Sequence, residues 1–149
     1  MSIAVPAQHP SGLLRFALLA DAAASGVLGL GLALFAGPIA QLLGLSEALP
    51  RYAGILLVVW GAAVLWLGTR PRPPARAVWA VIALNALWAV DSVLLLLSGW
   101  IAPTTLGLVF ILFQAAAVTV FAELQYVGLR RTAARHTAPA GPIDGAPAA

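Results

Sequence analysis

The 149-residue sequence has no cysteine and no lysine, one methionine and little charge. Eight arginines and five acids are its only fixed charges, 9% of the chain, where ordinary soluble domains carry about a quarter. Without cysteine there are no disulfides, no thiolate metal sites and no cysteine nucleophile. Thirteen charged side chains cannot coat a soluble fold of this length, and they exclude a basic nucleic-acid-binding surface. What is abundant instead is apolar: 62% of residues, with a mean hydropathy of +0.98. Such a chain is expected in a lipid bilayer, as a multi-pass protein.

Four apolar stretches approach the roughly 20 residues that a membrane-crossing helix needs. They cover about 16–36, 52–68, 77–97 and 104–127. Helix is the expected state, because lipid offers no partners to free backbone groups and the runs lack the alternation of a β-barrel strand. Breakers fall between them: Gly37 and Pro38, Pro50, the run from Arg70 to Pro74, and Pro103. The expected fold is all-α, a membrane-embedded four-helix bundle over 14–128. A flexible tail (1–13) precedes it and a disordered cytoplasmic tail (129–149) follows. Residues 37–45 suit a short interfacial helix.

Arginine placement predicts orientation. Arg15, Arg70, Arg72, Arg76, Arg130, Arg131 and Arg135 fall on one side and Arg51, close to Glu47, on the other. By the positive-inside rule both termini are cytoplasmic. Tyr52, Trp66, Trp79, Trp100 and Tyr126 fall near span ends, as interfacial aromatics do, whereas Trp60 and Trp88 lie deep. The abundance of Ala, Arg, Gly and Pro without Lys suggests a GC-rich bacterial genome and thus the inner membrane.

The two halves of the chain look alike. Asp21 lies seventeen residues before Pro38, and Asn85 eighteen before Pro103; Trp60 and Gln114 are each followed by a small-residue run ending in valine. Two similar antiparallel hairpins related about the membrane normal are expected. Helices in lipid meet through small residues, and Ala22, Ser25, Gly26, Gly29 and Ala33 fall on one arc of the first span, continued by Ala36 and Gly37.

Polar groups inside the spans carry the functional information, since a charge at the bilayer centre costs about 2.5–3.5 kcal/mol even on lenient scales. Asp21 is expected to lean back to cytoplasmic water and meet Arg130 or Arg131. Asp91 and Glu123 are expected to lean toward the midplane, where each must be protonated, hydrogen-bonded or facing a wet cavity. Asn85, Trp88, Asp91 and Ser92 share one face of span three, and Gln114 is the expected partner of Asp91. On span four Gln114 and Gln125 share a face, with Thr119 and Glu123 roughly opposite, so a second subunit or partner is expected to cover one of the two.

Two functions fit. In one, the protein is a proton- or cation-coupled small-solute transporter or channel-like protein acting as a homo-oligomer. Asp91 and Glu123 bind the ion, Asp21 forms the mouth, and Asn85, Ser92, Gln114 and Thr119 coordinate or relay. In the other, it is a non-catalytic accessory or scaffold subunit of a larger membrane complex. No enzyme, cofactor or metal is expected: both histidines, His9 and His136, fall in the tails, and no serine–histidine pair exists in the spans.

Overall fold

The structure, a computed structural model, describes residues 11–137 and the side chains of 11–134. It is all-α. Helix α1 spans Gly12–Leu34, α2 Ala36–Leu43, α3 Ala48–Thr69, α4 Ala75–Leu97 and α5 Thr105–Thr137. All but α2 are long and apolar enough to cross a membrane.

Local chemistry places the boundaries. Ser11 caps α1, its hydroxyl accepting from the Leu14 N–H at 3.3 Å. Pro38 removes the N–H that would reach the Leu34 carbonyl and crowds it, and α1 ends at Leu34. Pro50 sits in the first turn of α3, where its missing N–H costs nothing, so α3 begins at Ala48 rather than beyond the proline. Gly44 ends α2 in the left-handed conformation, at φ 69°. There the Thr104 N–H donates to the Leu43 carbonyl at 2.9 Å, and the Thr104 hydroxyl to the Leu42 carbonyl at 2.9 Å, pinning α2 to the start of α5. The short helix expected over 37–45 is thus α2. Helix α5 continues past Arg131 to Thr137, so helix occupies the first part of the expected C-terminal tail. Most of the expected N-terminal tail, and the rest of the C-terminal one, lie outside the described residues.

The long helices form an up-and-down bundle. A Cβ built on Gly54 would lie 2.7 Å from the Gly29 carbonyl oxygen, one on Gly61 3.0 Å from that of Ala22, and one on Gly68 3.1 Å from the Leu18 Cβ. Residue numbers fall along α1 as they rise along α3, so the pair is antiparallel. Three glycines at seven-residue spacing let the backbones approach this closely. The expected small-residue face of α1 is what they meet: Ala22, Ser25 and Gly29 are buried, Gly26 and Ala33 half-buried. Helix α5 lies against α1, with Gly128 beside Leu14 and the Ser11 hydroxyl donating to the Gly128 carbonyl at 2.7 Å. It also packs along α4.

A cluster of buried apolar side chains lies at one end. Leu14, Leu18, Val64, Leu67, Val78 and Val81 are buried together where α1 starts, α3 ends and α4 starts. Helices α3 and α4, joined by the 70–74 loop, scarcely touch. Toward the α2 end the gap between them stays open.

Candidate functional site

Asp21 lies at the centre of the bundle, fully buried. Its position beside Ala22, and one turn before Ser25, puts it on the edge of the packing face. The Ser25 hydroxyl donates to Asp21 Oδ1 at 3.2 Å. Across the bundle the Asn85 amide of α4 and the Gln125 amide of α5 each donate to Asp21 Oδ2 at 2.8 Å. Asn85 also donates to Gln125 Oε1 at 3.4 Å, closing the cluster. Asp21 therefore ties three helices together. It does not turn to cytoplasmic water, nor pair with Arg130 or Arg131, as its depth along α1 had suggested. Rotation about the helix axis decides the matter: its face is the one turned toward α4 and α5.

One cluster higher, Trp88 Nε1 donates to Gln114 Oε1 at 2.6 Å, Gln114 Nε2 donates to the Ser92 hydroxyl at 2.9 Å, and that hydroxyl donates to the Trp88 carbonyl at 2.7 Å. Gln114 is thus the partner of Trp88 and Ser92, not of Asp91. Trp88 and Ser92 are one turn apart and face α5, whereas Asp91 is rotated away from them toward α3. Among the described residues Asp91 makes no hydrogen bond and no ion pair.

Asp91 instead borders two cavities in the α3/α4 gap. The upper one, about 220 Å³, runs under α2 and is walled by Leu32, Leu43, Leu49 and Leu57, with Trp88, Ser92 and Gln114 as polar neighbours of Asp91. The lower one, about 340 Å³, is walled by Leu57, Trp60, Leu84 and Trp88 and reaches Ser25 and Asn85. Asp91 lies six residues along α4 from Asn85, a rise of about 9 Å. An unpaired carboxyl at the junction of the cavities thus stands above a carboxyl with three donors behind the lower wall.

Glu123 is not part of this arrangement. It is exposed, because a displacement of two residues from the inward-facing Gln125 turns it outward. Thr119, also exposed, donates to the Ala115 carbonyl at 2.8 Å. Gln125, on the same face of α5 as Gln114, is a member of the Asp21 cluster that the spacing of polar residues alone does not assign to it. Asn85 and Asp21, matched by the similarity of the halves, meet each other directly.

The arginines with described side chains lie at helix ends or in the 70–74 loop, none beside Asp21 or Asp91. Arg51 pairs with Glu47, Arg70 stacks on Trp66 at 3.6 Å, and Arg130 lies 5.7 Å from the Tyr126 ring, itself edge-on to Trp79.

These features define a small multi-pass α-helical membrane protein with polar clusters inside the bundle. Comparison with protein-family models, with curated proteins and with solved structures finds no match for the chain.

Proposed function

We propose that this chain is a small proton- or cation-coupled solute carrier or channel-like protein, whose path is the α3/α4 gap. The carrying observation is Asp91, a carboxyl without a partner among the described residues at the meeting point of two intramembrane cavities. Structural glue would be expected to have partners, as Gln114 and Asn85 do. An acid exposed on a membrane span at the edge of the gap, with no cation beside it, suits a group whose partner comes and goes. In this reading Asp91 takes up the ion. Ser25, which borders the lower cavity and touches Asp21, connects that space to the second carboxyl. Four helices leave little room for a monomeric path, so the working unit is a homo-oligomer. Its composition suits the bacterial inner membrane, and the arginine asymmetry suits an orientation with both termini cytoplasmic.

The test is ion and solute flux in proteoliposomes. Asp91→Asn should reduce flux to that of protein-free vesicles, while Glu47→Gln, at the exposed ion pair, should keep it. Equal flux in wild type and Asp91→Asn overturns the reading.

A second reading, an accessory subunit of a larger complex, draws on the exposed Glu123 and Thr119 on the outer face of α5. A stable heteromeric partner recovered at native expression, without flux by the purified protein, would favour it.

A further inference from the structure

We propose that the cleft between α3 and α4 binds a monovalent organic cation with an apolar body, a quaternary or protonated amine, entering sideways from the bilayer. This rests on the carrier reading for its path and names the class of solute.

Four observations converge. The first is charge: Asp91 has no cationic or hydrogen-bonding partner among the described residues, so a ligand supplying one positive charge neutralises it. The second is the wall. Leucine is the commonest residue around both cavities, and such apolar walls suit methyl and methylene groups. The third is aromatic. Trp60 and Trp88 border the lower cavity with Asp91, and indole faces attract organic cations, quaternary ammonium above all. Trp88 is oriented beforehand by its 2.6 Å bond to Gln114, which Ser92 holds in turn. Gln114 bonds the indole N–H and leaves its face available for the ligand. The fourth is access: α3 and α4 scarcely touch, and Leu56, Leu84 and Leu87, which border the lower cavity, are exposed on the lipid-facing side. A solute dissolved in the bilayer reaches Asp91 from there without crossing a polar mouth.

The size agrees. At about 340 Å³ the lower cavity lies at the small end of the range for organic ligands, roughly 300–1,000 Å³. A bare ion would leave it mostly empty.

The test uses the purified full-length protein in a non-ionic detergent, titrated with benzyltrimethylammonium and followed by tryptophan fluorescence and calorimetry. Neopentylbenzene, the same shape without the charge, and benzenesulfonate, with the opposite charge, are the comparison ligands. Saturable binding of the cation, at least about tenfold tighter than either comparison ligand, is the expected result. Asp91→Asn should remove that preference, and Glu47→Gln should keep it. Equal binding of the cation and its neutral isostere, binding of the cation undiminished in folded Asp91→Asn, or no saturable binding overturns the proposal. If Asp91→Asn does not fold, the ligand comparison on wild type decides alone. Cation binding without flux in proteoliposomes defeats the carrier reading and leaves this site standing. Flux without cation binding does the reverse.

Discussion

A carboxyl group inside a membrane protein needs donors or a cation, and Asp21 has three neutral donors: Ser25, Asn85 and Gln125. Every buried side-chain nitrogen and oxygen among the described residues is partnered, so removing the acceptor strands the Gln125 amide N–H and leaves Asn85 only its 3.4 Å bond to Gln125. Asp21→Leu should lower stability by about 2–4 kcal/mol, since a buried unsatisfied donor costs roughly 1–3 kcal/mol. Asp21→Asn keeps an oxygen toward Asn85 and Gln125 and an N–H toward Ser25. It should cost under about 1 kcal/mol, close to the modest worth of polar contacts in membranes. Denaturation in detergent, followed by circular dichroism, separates the two. Equal losses would mean that the side chain's volume, not its acceptor role, holds the cluster. Asp91 contrasts with it, having no bond to lose. Asp91→Asn should leave stability unchanged within about 0.5 kcal/mol while changing function, a separation that glue residues do not show.

At the scale of the helix, glycine does two different things in α1 and α3. At Gly54 a Cβ would lie 2.5 Å from the Ala33 backbone nitrogen and 2.7 Å from the Gly29 carbonyl oxygen, neither of which can move aside alone. Gly54→Ala should push α1 and α3 apart at a cost of about 1–3 kcal/mol. At Gly31 a Cβ meets nothing within 4 Å. Gly31→Ala should therefore be neutral or stabilising by up to about 1 kcal/mol, since alanine is the better helix former. Thermal unfolding of the two variants checks the pair, and similar midpoints would refute the close approach. The sequence showed the α1 half of this contact, a stripe of small residues on one face. It held the α3 half too, in the seven-residue spacing of Gly54, Gly61 and Gly68, but glycines are common in such a chain and the spacing has meaning only once the partner face is known.

For the whole molecule, the exposed surface reports the solvent. Val27, Ile55, Leu97 and Phe113 stand out from the four long helices, Val27 at 74% exposure, which water would penalise and lipid does not. The α2 segment and the 70–74 loop lie at opposite ends of the bundle. Because the chain has no cysteine, single substitutions report sidedness directly. Arg72→Cys should be labelled by a membrane-impermeant thiol reagent only from the cytoplasmic side, and Ser46→Cys only from the other. The reverse pattern would show that arginine asymmetry does not set orientation here. The same scale bears on symmetry. A two-fold relation between the halves requires α3 to pack on α4 as α1 packs on α5, and it does not. The open side is where the cavities lie.

Composition and spacing alone determined that the chain is an all-α membrane protein with four long spans, a short helix after the first, and a small-residue face on α1. Those follow from hydrophobic length and from local breakers, which act within a few residues along the chain. Which acid is buried was decided only by tertiary structure. Depth along a helix, which sequence reports, does not say which neighbour a side chain faces, and a rotation of some 100° per residue separates Asp21 in the core from an acid at the surface. The same rotation turned Glu123 outward, gave Gln114 to Trp88, and left Asp91 beside a gap that exists because two helices adjacent in sequence fail to close on one another.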